Sequence, residues 1–459
     1  MKAVLISTYE MGRQPFGLAS PAAWLRTAGW DVACCDASKE KLSLEAVASA
    51  DLIAFHLPMH TATRLAVPVI KKLRSVNANV RICAYGLYAP LNEPLLRSLG
   101  VDGVFGGEFE GDLVAFAAES SQREQRSQSE QRPRSEVREQ PAAARVARLE
   151  FKVPDRAGLP PLSRYATLQM PDGERRLVGY TEASRGCKHV CRHCPIVPIY
   201  NGQFRIVQAD VVLADVKAQV AAGAGHITFG DPDFFNGPTH AMRIVEGLHA
   251  AHPSVSYDAT IKIEHLLKHR ELLPRLAATG CAFVVSAVES IDDRVLAILD
   301  KGHTRADFLA AVDVCRQASL TLTPTFVAFH PWLSLAGYCD LLDTIESTDL
   351  VDHVAPIQLA IRLLIPDSSR MLTVPEMRSY LTSFDPVTLT HRWTHADERV
   401  DQLQQEVSAI VGARLNAHRR DLFDDISTLA HERAGLPRES QRTMRDRATV
   451  PYLNEPWYC

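Results

Sequence analysis

The sequence predicts an α/β protein made of a doubly wound domain, a partial parallel barrel and a helical extension. Three observations lead there. Short apolar runs alternate with stretches of helical periodicity, a polar seam interrupts the alternation once, and long charged helical stretches take over near the end. With 459 residues and 46% of them hydrophobic, each unit has enough apolar material for its own core.

In the first unit, residues 1–118, "KAVLIS", "WDVACCD", "ADLIAFHL", "NVRICAYG" and "VDGVFGG" read as short buried strands. The stretches "SPAAWLRTAG" and "TRLAVPVIKKLRSV" between them have helical spacing. A doubly wound sheet binds ligands outside the carboxyl ends of its strands, where strand order reverses. That selects the loops at 8–17, 56–61, 86–90 and 106–111. Gly12, Gly86, Gly106 and Gly107 are the candidate binding positions there, because a missing Cβ lets backbone amides approach a ligand. Glycines are also common in such turns without a ligand.

The seam, residues 119–145, is Gln, Ser, Arg and Glu with almost nothing to bury, so a disordered spacer is expected. Its mixed charges speak against a nucleic-acid arm. Beyond it, in residues 146–374, six strand-like segments follow one another: "LVGYTEASRG", "HITFGD", "VSYDATIKI", "CAFVVSAVES", "LTLTPTFVAF" and "HVAPIQLAIRLLIP". Helical stretches between them indicate a partial (β/α)6 barrel with its site on the carboxyl-end loops. Residues 375–459 read as a helical extension whose charged faces suit a solvated lid or an oligomer contact.

A net charge of −4 supplies no basic field for nucleic acid, and no apolar run reaches the roughly 20 residues that span a bilayer. A cytoplasmic protein with neither a nucleic-acid nor a membrane partner is expected. Of the ten cysteines, Cys187, Cys191 and Cys194 fall within "SRGCKHVCRHCPIVPIY", which reads as metal or redox chemistry and not as a disulfide framework. A structural zinc site wants four closed ligands. Either His189 or His193 completes a zinc, making the chain a zinc-binding scaffold that recruits a partner, or one metal position is left open. Cys34, Cys35, Cys83, Cys281 and Cys315 lie in strand or helix patterns and read as buried hydrophobes, with Cys339 ambiguous.

The C-x-x-x-C-x-x-C spacing resembles the radical S-adenosylmethionine (radical SAM) superfamily, whose [4Fe-4S] cluster uses three cysteines. The resemblance implies that the fourth iron chelates the amino and carboxylate groups of S-adenosylmethionine, and that an electron delivered through it cleaves a sulfonium C–S bond. It implies Gly230, Asp231 and Asp233 of "ITFGDPDFFNG" as the segment receiving the methionine amino group. Ser286, Glu289, Ser290 and Lys301 of "FVVSAVESIDDRVLAILDKGHT" would hold the ribose hydroxyls and carboxylate, and Arg205 would be a cation near the cofactor. Taken singly, Ser286 is equally a strand residue, Lys301 a solvated helix end and Arg205 a salt-bridge partner. Tyr180, Thr181 and Tyr200 flank the cysteines and would face the cofactor, Tyr200 as a catalytic candidate, unless they only pack. A small-molecule or peptide substrate and a flavodoxin- or ferredoxin-type electron donor are the partners the resemblance implies.

The first unit resembles the cobalamin-binding domain that precedes the barrel in one branch of that superfamily, and together the resemblances span residues 1–116 and 177–366. The histidine of the usual Asp-x-His-x-x-Gly cobalamin element is absent from "STYEMGRQPFG", as it often is in this branch. The implied activity is cobalamin-assisted methyl or other group transfer; a cobalamin-independent enzyme forming C–S or C–As bonds is the competing expectation. Finally, "VPYLNEPWYC" resembles a radical SAM group whose tail reads Glu-Pro-Trp-Tyr/Phe-Cys followed by Cys or selenocysteine and Ala-Glu-Pro. That likeness implies a selenoprotein read to a stop, with Cys459 as half of a catalytic redox or metalloid-binding pair, against a frayed terminus with an incidental cysteine.

Overall fold

The computed structural model describes residues 1–126, 148–414, 417–438 and 450–454, with side chains described outside 120–126. Five strands, β1 (Lys2–Ser7), β2 (Asp31–Asp36), β3 (Leu52–His56), β4 (Arg81–Tyr85) and β5 (Gly103–Phe105), form one parallel sheet in the order β2-β1-β3-β4-β5. All five match the apolar runs of the sequence. The runs are continuous because both faces are covered. Val4, Ile6, Ile53, Phe55 and Ile82 belong to one buried cluster, and Ala3, Leu5, Ala54, Cys83 and Tyr85 to another on the opposite face. Strand order reverses at β1, between β2 and β3, so the loops after β1 and β3 border the crevice.

The helix Glu110–Arg126 that ends this domain runs into the expected spacer. Residues 127–145 of that spacer lie outside the described residues. Chain 148–166 then crosses back over the first domain. Asp155 N–H donates to Ala19 O at 2.9 Å, Gln14 Nε2 to Pro160 O at 2.8 Å, and Ala166 N–H to Gly12 O at 2.9 Å. The two domains are thus stitched by backbone as well as side chains.

The second sheet contains β6 (Thr167–Gln169) and β7 (Arg175–Thr181); the strands β8 (Ser184–Gly186) and β9 (Phe204–Ile206) form a separate hairpin around the cysteine loop. Four further strands, β10 (His226–Phe229), β11 (Ser256–Thr260), β12 (Cys281–Glu289) and β13 (Leu322–Phe326), continue the sheet from β7 in parallel. It is a half-barrel of five parallel strands, widened by the antiparallel β6. The sixth expected strand is not one: that segment makes a 3-10 turn, Pro356–Leu359, and a single bridge from Phe329 to Arg362. Gln358 Nε/Oε chemistry explains part of this, since its Oε1 accepts the Phe326 N–H at 3.1 Å in place of a neighbouring strand carbonyl.

The carboxyl-terminal region departs from the sequence reading in two ways. It contains a hairpin, β14 (Leu381–Asp385) with β15 (Thr390–Trp393), and a two-residue strand β16 (Tyr452–Leu453) pairing with β6. Its helices Glu398–Ala413 and Arg419–Ala434 are not a solvated lid. Val400, Leu403, Val407, Phe423, Ile426 and Ala430 are buried in the same cluster as the barrel helices.

Arg156 anchors the crossing segment. Its guanidinium bonds Asp215 at 2.9 Å, Gln14 Oε1 at 2.8 Å and Tyr180 O at 2.7 Å, and the Asp215 side chain is fully buried. Breaking one partner of such a pair leaves an uncompensated buried charge. Arg156→Ala is therefore expected to lower stability by about 3–5 kcal/mol in denaturant titrations, with part recovered by adding Asp215→Asn.

Candidate active site

A cavity of about 480 Å3 lies between the domains. One wall is the switch-point crevice of the first sheet, with Glu10, Gly17, His56, Gly86, Gly107 and Phe109. The other is the carboxyl end of the half-barrel, with Tyr180, Glu182, Arg185, Tyr200, Gly230 and Asp231. Arg419, Pro451, Tyr452 and Leu453 close part of it, a contribution of the extension that nothing in its charged helical pattern revealed.

Arg185 holds the two walls together. It reaches Glu110 at 2.7 Å and Glu108 at 3.3 Å from the first domain, and Glu182 at 2.7 Å from the barrel. Phe16, Phe109 and Phe151 place rings 5.0–5.7 Å from the guanidinium. Burial and the adjacent Glu110 outweigh Arg185 at Glu108 and push its carboxyl up to about 7. At Glu110 burial acts upward, and Arg185 overrides it and keeps the acid low. The Tyr200 hydroxyl donates to Glu108 Oε1 at 3.1 Å, so Tyr200 lines the cavity while serving the domain contact.

Two glycines here are dictated by space. A Cβ on Gly230 would lie 1.8 Å from the Tyr180 hydroxyl, and one on Gly17 would lie 2.0 Å from His56 Cε1. Of the four expected binding glycines, Gly86 and Gly107 line the cavity. Gly12 and Gly106 do not: Gly12 uses its carbonyl on the crossing segment, and Gly106 leaves room for Pro90, whose Cγ stands 2.3 Å from a Cβ there.

Cys187, Cys191 and Cys194 follow β8 on one loop, the first two buried. Hydrogen bonds fix that loop: Cys187 N–H to Gln203 O at 3.1 Å, Lys188 N–H to Asn236 Oδ1 at 3.1 Å, and Arg192 N–H to Leu299 O at 2.9 Å. Burial raises the Cys187 thiol and pushes Cys194 up to about 12, so metal must displace their protons. Lys262 Nζ lies 3.8 Å from Cys191 Sγ, a cation where an anionic cluster would sit. The histidines face elsewhere. His189 turns Nε2 to Asp233 at 3.5 Å, and His193 turns Nε2 to Glu289 at 3.1 Å. Among the described residues no set of three metal-capable side chains containing a cysteine converges within 4.8 Å. Ligands of a single zinc with bonds of about 2.0–2.3 Å would converge so, whereas a cubane spreads its thiolates wider.

The remaining expected residues divide. Asp231 accepts from Ala183 N–H at 2.9 Å and Ser184 Oγ at 2.5 Å, holding the loop that leads to the cysteines; burial pushes its carboxyl up to about 7. Asp233 sits outside the cavity lining, beside His189 and His265. Glu289 and Ser290 line a second cavity of about 270 Å3 with His330 and Trp332. Glu289 has a left-handed backbone, φ 69°, at the β12 bulge, which aims its carboxylate at Lys301 Nζ, 3.3 Å away. Burial would raise that carboxyl, but Lys301 and His193 outweigh it and hold it at about 2. Ser286 is displaced from its expected place. Its neighbours Phe283 and Val285 face the larger cavity, so by strand alternation its hydroxyl points the other way, buried and without a hydrogen-bond partner. Arg205 is likewise not at either cavity: on the β8–β9 hairpin it bonds Phe204 O at 3.0 Å and Gln203 Oε1 at 3.2 Å. Cys459 lies outside the described residues.

Residues 181–332 match the model of the radical SAM superfamily. The chain carries a radical SAM domain. It is an enzyme of the radical SAM type, and its cofactors are a [4Fe-4S] cluster and S-adenosylmethionine. Over 133 residues the chain is 28% identical to the bacteriochlorophyllide d C-12(1)-methyltransferase of Chlorobaculum tepidum, covering 28% of each chain. Over 158 residues it is 26% identical to the tRNA-2-methylthio-N(6)-dimethylallyladenosine synthase of Geobacter sulfurreducens, covering 32% of this chain and 34% of that one. The chain thus spans about a third of the length of these relatives.

Its fold is similar to the radical SAM methyltransferase TsrM from Kitasatospora setae, solved with cobalamin and a [4Fe-4S] cluster, at TM-score 0.61 and 14% identity over 94% of this chain and 99% of that one. It is also similar to the cobalamin-dependent radical SAM enzyme OxsB, solved with aqua-cobalamin and S-adenosylmethionine, at TM-score 0.64 and 13% identity over 94% and 71%. No helix among the described residues is long and apolar enough to cross a membrane.

Two outcomes follow from this geometry. Cys191→Ala should reduce the iron of anaerobically purified radical SAM protein from about four per chain to near zero, read by iron and sulfide analysis. Glu108, raised from 4.5 to about 7, stabilises the fold fully below pH 4.5, and that contribution is lost as pH rises through 7. Glu108→Gln should therefore flatten the fall in unfolding free energy between pH 5 and 8, by an amount on the order of 2 kcal/mol.

Proposed function

We propose that this radical SAM enzyme is cobalamin-assisted and transfers a methyl or other small group to a small-molecule or peptide substrate in the interdomain cavity. One observation carries the reading: the crevice at the β1–β3 switch point opens onto the carboxyl end of the half-barrel, so two cofactor surfaces share one chamber. Two solved proteins of similar fold, TsrM and OxsB, hold cobalamin and aqua-cobalamin respectively.

The residues fit such a ligand. Glu10 Oε2 and His56 Nδ1 face each other at 3.4 Å beside the carboxyl ends of β1 and β3, buried on the cavity wall with no hydrogen-bond partner, which leaves polar capacity for a bound molecule. Gly86 and Gly107 keep the floor of the crevice low, and Met59 and Leu87 give it apolar cover. Cobalamin bound here would supply a transferable methyl group, and the cluster would supply the electron that cleaves S-adenosylmethionine.

The chain's own part is positioning and seclusion. Cys187, Cys191 and Cys194 would hold the cluster, with Lys262 offsetting its charge. Asp231 keeps the strand-to-cluster loop against β10, and the Arg185 contact keeps water from passing between the walls. The electron donor in this reading is a flavodoxin- or ferredoxin-type protein.

Protein produced anaerobically with cobalamin supplied should carry about one corrinoid per chain by its visible spectrum. Leu87→Trp, which fills the crevice with an apolar ring, should lower corrinoid content at least tenfold and leave iron content and reductive cleavage of S-adenosylmethionine intact. A full cluster with no corrinoid in the unaltered protein would replace this reading with a cobalamin-independent radical enzyme, and zinc without iron would replace both.

A further inference from the structure

Beside the cysteine loop stands a second group of metal-capable side chains that the cluster does not use. His189 lies between Cys187 and Cys191 in the sequence, Asp233 caps the 3-10 turn Phe234–Asn236 after β10, and His265 is on the helix Ile263–Lys268 after β11. Three separate elements therefore bring one nitrogen or oxygen each to a common point. The ligand atoms all lie within 4.8 Å of one another, the one such set among the described residues.

Hydrogen bonds to the rest of the chain do not account for the arrangement. His265 Nδ1 is 2.6 Å from Asp233 Oδ2, and His189 Nε2 is 3.5 Å from the same oxygen. Both contacts are ion pairs on one carboxylate oxygen, and His265 Nδ1, Asp233 Oδ2 and His189 Nε2 are buried atoms with no hydrogen-bond partner outside the trio. The Asp233 side chain is 0% exposed and that of His265 7%. Asp233 Oδ1 is already occupied by the amides of Phe235 at 3.3 Å and Lys262 at 3.4 Å, which leaves Oδ2 turned towards the imidazoles.

The spacing suits a single ion. Two ligands bonded at about 2.1 Å stand roughly 3.0–3.4 Å apart in octahedral or tetrahedral geometry, and 2.6 and 3.5 Å bracket that interval. Metal-bound histidines usually give their second ring nitrogen to a carboxylate. His189 Nδ1 has one, Glu264 Oε2 at 3.6 Å. Imidazole with carboxylate selects first-row divalent metals such as zinc or ferrous iron over calcium or magnesium.

We propose that His189, Asp233 and His265 form a mononuclear site for a divalent first-row transition metal, separate from the iron–sulfur cluster. The ion would tie the middle of the cysteine loop to the ends of β10 and β11. It keeps one or more positions open to water, since the chain supplies three ligands.

The test uses holoenzyme whose cluster is intact, so that the three thiolates are already taken. Zinc(II) is added anaerobically, unbound ion is removed, and zinc and iron are counted. The expected result is about one zinc per chain in addition to the cluster iron, with only nitrogen and oxygen scatterers in the first shell by X-ray absorption. His265→Ala and Asp233→Asn should each lose the zinc while keeping the cluster absorbance, which shows that they have folded. No retained zinc in the unaltered holoenzyme, zinc unchanged in both variants, or sulfur in the zinc shell would each overturn the site. None of these results depends on whether corrinoid is bound.

Discussion

The constraint on which the rest depends is the burial of Arg185. A guanidinium taken out of water must be paired and hydrogen-bonded throughout, and here its partners come from both domains: Glu108 and Glu110 from the first, Glu182 from the second. Three carboxylates around one cation leave an excess of negative charge. That excess is relieved at Glu108, whose acid form is favoured near neutrality and which the Tyr200 hydroxyl also contacts. Because Arg185 is two residues before Cys187, the domain contact and the cluster loop are one continuous piece of structure. The orientation of the first domain and the placement of the cysteines are therefore not independent.

The acids after β10 show how two residues apart can mean two different jobs. Asp231 spends both oxygens on the Ala183 amide and Ser184 hydroxyl and is raised by burial. Asp233, against two imidazoles, is held low despite equal burial, at about 2. Glu289 follows the second pattern with Lys301 and His193. Side chains placed by separate loops decide which way each acid shifts; burial alone would have raised all three.

Much of this was legible in the chain. The five strands of the first sheet are readable because both faces are covered and every residue must be apolar, and the cluster motif because its three cysteines are local. Residues whose roles arise from distant contacts were not readable. Arg185 lies inside the cysteine segment, but two of its three carboxylates, Glu108 and Glu110, are more than seventy positions away. Ser286 was misplaced because strand alternation sets its face, and the sequence of β12 is apolar on both sides. The sixth barrel segment is apolar enough for a strand, yet its backbone turns at Pro356 and pairs at one position only. The cavity-lining part of the extension, Arg419 and residues 451–453, enters through tertiary packing that no periodicity encodes.

The central claim is that one chamber, walled by both domains, receives the cofactors. Hydrogen–deuterium exchange on the anaerobic holoenzyme, with and without hydroxocobalamin and S-adenosylmethionine, tests it most directly. The account predicts simultaneous protection of residues 10–17 and 56–59 in the first domain and of 182–186 and 230–232 in the barrel. Protection confined to the barrel segments would contradict it, because the first domain would then bound no part of the site.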